Sequence, residues 1–123
     1  MKAVVTEKAP KAIGAYSQGL DLGNMVFTSG QLPIDPATGE MPEGAAAQAE
    51  QSLKNVKAII EESGSNMSKV VKTVIFLQDI NDFGAVNEVY ASFFDEPYPA
   101  RSCVEVGNVP KGALCEIEAI AVK

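Results

Sequence analysis

Four side chains near the C-terminus have the types that handle a small organic acid: Arg101, Cys103, Glu116 and Glu118. Arg101 lies in the stretch Pro99-Ala100-Arg101-Ser102-Cys103-Val104-Glu105-Val106, which alternates as a strand. Val104 and Val106 fall on one face, Arg101, Cys103 and Glu105 on the other. A guanidinium offers a rigid fork of donors that fits a carboxylate with two parallel hydrogen bonds. An arginine starting a strand just after a proline is placed by the backbone. A glutamate beside it can take a proton or hold a water. Cys103 reads as a nucleophile or as a small buried hydrophobe. The chain has no histidine, the usual partner that makes a thiolate, so a role for the Cys103 backbone amide or carbonyl is preferred.

The spacing predicts a hairpin over 101–122 with its loop near Val109-Pro110. In that register Cys103 sits opposite Glu116 and Arg101 opposite Glu118, and all four share a face. Two readings stay open: a solvated cross-strand salt bridge, or an arginine that grips a substrate carboxylate next to a proton-handling glutamate. Thr28-Ser29-Gly30-Gln31 ends a strand in a glycine, where a hydroxyl and free amides can meet a ligand, or where the chain simply turns. Tyr16 and Asn87 each fit a pocket wall or an ordinary surface or core position. Cys115 reads as core, with a Cys103–Cys115 disulfide as the alternative. The glycines form no phosphate-binding fingerprint.

Composition narrows the classes. The chain has 123 residues, 46% hydrophobic and 21% charged, enough for one domain over 1–123 with a real core. The net charge of −6, with basic residues scattered singly, argues against a nucleic-acid partner. Without histidine, and with two cysteines twelve apart and no partners at zinc spacing, a structural zinc site is not expected. No segment approaches ~18 continuous apolar residues, so no membrane span is expected and the cytoplasm is the default setting.

The elements that must hold these residues follow in chain order. A short edge strand is expected at 3–5, a loop at 8–15, and a hairpin of 16–22 and 25–29 about Gly23-Asn24. Residues 31–42 carry four breakers and read as irregular. The spacing predicts a helix over 43–63, with Pro42 in its first turn, Glu43 at its positive end and Gly64 as its stop. Residues 70–77 read as a strand covered on both faces. A second helix is capped by Asn81 or Asp82, with Phe83, Val86, Tyr90 and Phe93 inward. After the Arg101 strand and a loop at 107–112, the last strand spans 113–122. The strand–helix–strand unit from 70 to 106 implies a parallel pair, with both helices on one face of one mixed sheet. Its other face then needs a cover, and a second copy of the chain is the simplest.

Several separate motifs, in order and spacing, resemble the RidA (YjgF) family of reactive-imine deaminases. They are Ala12-Ile13-Gly14-Ala15-Tyr16-Ser17-Gln18-Gly19, Phe27-Thr28-Ser29-Gly30-Gln31, Asn81-Asp82-Phe83, the Arg101 stretch and Glu116-Ile117-Glu118-Ala119-Ile120-Ala121. The resemblance covers essentially the whole chain. It implies a chorismate-mutase-like α+β fold, with about six strands and two helices on one face. It also implies a homotrimer whose sheets form a central barrel with clefts between subunits. The implied reaction is hydrolysis of 2-imino acids such as 2-iminobutanoate and 2-iminopropanoate to 2-keto acids and ammonia, with no cofactor or metal. Carried over by position, Arg101 binds the carboxylate, Cys103 offers its main chain, Glu116 orients water, and Tyr16, Ser29, Gly30 and Asn87 line the cleft. Ala15 stands where relatives often have proline, and Gly107-Asn108 where they often have Ala-Arg. The competing expectations are a trimeric carboxylate-binding protein without turnover and, more weakly, an RNA-cleaving protein.

Overall fold

The alternation of apolar residues places most of the strands. In the computed structural model, which describes residues 1–123, six strands form one sheet: β1 Lys2–Val4, β2 Gly19–Asp21, β3 Met25–Thr28, β4 Val70–Leu77, β5 Ala100–Glu105 and β6 Cys115–Val122. The helices are α1 Ala45–Glu62 and α2 Phe83–Ala91. Across the sheet the order is β1-β2-β3-β6-β4-β5. Every neighbouring pair is antiparallel except β4 and β5, which run parallel and are joined through α2. This is the expected mixed α+β sheet.

One face of the sheet is the core. Cys115, Ile117, Ala119 and Ala121 alternate inward on β6, and Ile75 and Leu77 on β4. They pack with Val26 against Leu53, Val56 and Ile60 of α1 and Val86 and Tyr90 of α2. Each such large apolar side chain contributes roughly 1.5–3 kcal/mol by leaving water. The opposite face is apolar too. Leu20, Phe27 and Ile120 line up across β2, β3 and β6, and Val74, Phe76 and Val104 stand on β4 and β5. Phe27 is 38% exposed and Val104 45%. In one chain β4 is therefore covered on one face only, not on both.

Helix α1 starts later than the spacing predicts. Pro42 and Glu43 stay outside it, and Gly44, at φ 89, is the boundary residue with no side-chain cap. The side chain of Gln48 does the anchoring: its Nε2 donates to the Pro42 carbonyl at 3.0 Å and its Oε1 accepts from the Leu114 amide at 2.7 Å. Gly64, at φ 92, ends the helix in the left-handed region that suits glycine, as expected. Asp82 caps nothing. The capping carboxylate is Asp79, which accepts from the Asn81 amide at 2.9 Å in a short 3-10 turn before α2. The strand expected over 16–22 shrinks to β2. Gln18 is spent elsewhere: its side chain accepts from the Thr6 amide and donates to the Thr6, Ala9 and Pro10 carbonyls, strapping the N-terminal segment down.

The 101–122 hairpin does not form, because β4 lies between β5 and β6. Residues 106–114 instead cross the C-terminal end of β4. Gln78 holds the crossing: its backbone amide donates to the Leu114 carbonyl, and its Oε1 accepts from the Val109 amide at 2.8 Å. A continuous apolar strand gains most in a central position, and that preference overrides the short connection. Arg101 is then level with Thr73 and, beyond it, Ala119; Cys103 is level with Ile75 and Ile117.

Candidate functional site

Register decides which side chains meet. Arg101 and Cys103 share the face of Thr73 and Ile75, the helix side. Glu116 and Glu118 share the face of Phe76 and Val74, the open side. Within one chain Arg101 and Glu116 thus stand two strands apart, roughly 10 Å, and on opposite faces. The expected cross-strand constellation of Arg101, Cys103, Glu116 and Glu118 is corrected accordingly, and no Arg101–Glu116 or Arg101–Glu118 salt bridge exists.

The open side carries a groove of about 810 Å³. Tyr16, Ser29, Gly30 and Glu116 all line it, so four of the seven residues carried over by position converge there. Gly30 follows β3 and lies against Glu116: a Cβ added to it would fall 2.8 Å from the Glu116 carboxyl carbon. The Gly30 amide donates to nothing within the chain. Ser29 is held by its neighbours, its amide donating to the Gln18 carbonyl and its hydroxyl to the Ser17 carbonyl at 2.6 Å. Gln31 clips the same turn to β6 by a pair of backbone bonds with Ile117. The Tyr16 hydroxyl accepts from the Ile13 amide at 3.4 Å, and the residue is half-exposed on a loop. Burial pushes the Glu116 carboxyl above its ordinary pKa, and the neighbouring Glu118 charge adds to it. A carboxyl perturbed by burial in a groove is suited to take and return a proton.

Arg101 belongs to a second cluster at the β5 edge. Its guanidinium donates to Asn87 Oδ1 at 2.7 Å and lies 5.2 Å from the Phe83 ring centre and 4.8 Å from that of Tyr90. Thr73 fixes the Tyr90 hydroxyl at 2.7 Å. No carboxylate lies within 4.0 Å of the guanidinium, since the salt bridges are Lys54–Glu50 and Lys123–Asp21. A half-buried cation without an anion suits an external carboxylate.

Cys103 is half-buried, and burial pushes its thiol up, partly offset by the Arg101 charge. A thiol held neutral is a poor nucleophile. Cys115 is buried beside Ser52 with its thiol pushed up to about 11, and both cysteines are free, so the disulfide alternative is not formed. The sequence reading gave Phe83 and Tyr90 to the core alone. Their signal was their spacing, four and three residues either side of Asn87 on one face of α2. Lys11 and Lys111 at the groove were not singled out either, and no pattern marked them. No group of histidine, cysteine and acidic side chains is placed to hold a metal, and no helix is long and apolar enough to cross a membrane.

Comparison with known proteins shows what the whole chain is similar to. The family described as Endoribonuclease L-PSP matches residues 6–123. The chain is 57% identical to the Escherichia coli (strain K12) protein named 2-iminobutanoate/2-iminopropanoate deaminase, over 99% of this chain and 98% of that one. The crystal structure of the E. coli YjgF gene product superposes with a TM-score of 0.96 at 53% identity, covering 100% of this chain and 99% of the other. E. coli TdcF with bound serine gives 0.96 at 52% identity over the same shares.

Proposed function

The chain belongs to the YjgF/RidA family, and from that premise we propose that it hydrolyses reactive 2-imino acids to 2-keto acids and ammonia in a cleft completed by two copies of itself. One observation carries the reading. An arginine without an anion and a groove glutamate lie on opposite faces of a single sheet. One chain cannot bring them together, whereas a second copy packed on the open apolar face can. A homotrimer with three equivalent clefts satisfies that requirement and covers Phe27 and Val104.

The chemistry needs little from the protein. A protonated imine is already electrophilic, so placement and a modest general base suffice. Arg101 of one subunit holds the carboxylate and thereby the imine carbon. Across the cleft Glu116 holds a water and takes its proton as the oxygen bonds to that carbon. The C=N electron pair moves to nitrogen. Return of a proton to nitrogen and loss of the hydroxyl proton break the C–N bond, leaving a 2-keto acid and ammonia. Tyr16, Ser29 and the free Gly30 amide line this half of the cleft, and the Cys103 main chain lines the other. No cofactor enters any step.

The relative named as an imine deaminase at 57% identity supports turnover over simple carboxylate binding. TdcF at 52% identity, solved with bound serine, supports a small amino acid-like substrate. An RNA substrate meets a net charge of −6 and a chain without histidine. Residues 1–123 act as one functional domain, working in a reducing cytoplasm.

Mixing subunits tests it. Arg101→Ala and Glu116→Gln proteins should each lose turnover of freshly generated 2-iminobutanoate. Co-refolded at equal amounts, they should recover up to about a quarter of parental activity, the share of random cyclic contacts that pair an intact arginine with an intact glutamate. No recovery would remove the shared cleft; parental turnover in either variant alone would remove the chemistry.

A further inference from the structure

The Arg101 cluster contains a choice of acceptor that the reaction itself does not require. The residue aimed at the guanidinium is Asn87, whose Oδ1 accepts at 2.7 Å. An aspartate has nearly the same shape and would accept a stronger, charge-assisted bond. Phe83 and Tyr90 meet the cation with ring faces at 5.2 and 4.8 Å. The nearer ring is itself immobilised, since Thr73 holds the Tyr90 hydroxyl and Phe94 packs against the ring at 4.7 Å between centres. Every contact in this cradle is neutral. Ring faces and an amide oxygen orient a cation without cancelling its charge.

We propose that Phe83, Asn87 and Tyr90 are positioning residues that aim the Arg101 fork while leaving its full positive charge for the ligand. The inference rests on the carboxylate-anchor reading of Arg101 and adds how that anchor is kept unpaired. It also reassigns Asn87 from lining the cleft to holding the arginine. One of the guanidinium's five donors is committed to Asn87, which leaves the rest of the fork for a planar, bidentate acceptor. An anion built into the cradle would compete with the substrate at close range.

The ordering of two variants separates charge from structure. Asn87→Asp is nearly isosteric; Asn87→Ala deletes the contact. If the contact were only structural, the alanine variant would be the worse of the two. On the present inference the aspartate variant is worse: the KM for 2-iminobutanoate rises about tenfold or more, with kcat within about twofold, and the Kd for 2-ketobutyrate weakens in parallel. Asn87→Ala and Phe83→Leu should each raise KM about threefold, through a looser fork. Tyr90→Phe, which keeps the ring face but loses the Thr73 bond that holds it, should raise KM less than Asn87→Ala does.

Arg101→Ala is the control. If it binds 2-ketobutyrate like the parent, the anchor reading fails and the cradle with it. If it loses binding while Asn87→Asp binds like the parent, or better than Asn87→Ala, the cradle inference alone is overturned.

Discussion

A methyl group on Gly30 would sit 2.8 Å from the carboxyl carbon of Glu116, closer than a Cβ carbon approaches a non-bonded neighbour. The glycine is therefore needed for what it lacks. Its missing side chain lets the glutamate fold down beside the end of β3. Gly30→Ala should push the carboxylate aside and lower kcat by about 10- to 100-fold, the scale of a misplaced catalytic group. Steady-state kinetics checks this, with thermal unfolding to show that the fold persists.

The acid limb of the pH profile should report Glu116. Its carboxyl is raised by burial and then by Glu118, so kcat/KM should fall, as pH decreases, at a pH above the ordinary glutamate range of about 4.3. Glu118→Gln removes the second cause, and the limb should move to lower pH. A limb that stays in place in that variant would take Glu118 out of the account.

The same shift has a sign for stability. In the folded chain Glu116 holds its proton more tightly than when unfolded. Its contribution to stability is therefore present below the ordinary carboxylate value and lost as pH rises through the raised folded value. Glu116→Gln should be at least as stable as the parent at pH 7 while turnover drops by about 10²-fold or more. Denaturant melts at pH 4 and pH 7 measure the first statement, and single-turnover rates the second.

Asn55 should matter to the groove from the far side of its wall. Fully buried on α1, it donates from Nδ2 to the Leu32 and Ile34 carbonyls at 3.0 and 2.9 Å and accepts from Gln51 at 2.9 Å. Leu32 and Ile34 line the groove. Asn55→Ala takes the Asn55 donor from two part-buried carbonyls and should cost about 1–2 kcal/mol. Increased hydrogen exchange over 31–42 would localise the loss to the groove wall.

Charge on the open face should break the assembly. Phe27→Glu places a carboxylate in the apolar row of Leu20, Phe27 and Ile120. Sedimentation at micromolar concentration should show a trimer for the parent and monomer for the variant, with imine hydrolysis lost alongside. A monomeric parent that turns over imines would overturn the shared cleft.

Much of this was legible in the residues themselves. The alternation in β6 announced one buried and one open face, and Cys115, Ile117, Ala119 and Ala121 are buried as it required. The run at 70–77 announced a strand, which within one chain is covered on one face rather than the two expected, and breakers marked the 31–42 loop. Pattern along a strand is local physics: the side-chain period is two whatever the strand pairs with. Residue type was enough to pick out Arg101, whereas the choice of Glu116 over Glu118 and of Gly30 came from the family resemblance.

Pairing was legible only in part: the β2–β3 hairpin and the parallel β4–β5 pair were, and the neighbour of β6 was not. Short connections favour adjacent strands, and 107–112 is short, so β5 and β6 read as a hairpin. The gain from enclosing β4 between them is a property of the whole sheet, and no local signal carries it. Inserting one strand moved Arg101 and Glu116 to opposite faces, so the constellation expected across a β5–β6 hairpin is not formed within one chain. The neutral cradle of Phe83, Asn87 and Tyr90 was hidden for the same reason. It exists only where α2 packs over the β5 edge, a contact between elements whose relative position is set by the packing of the whole core.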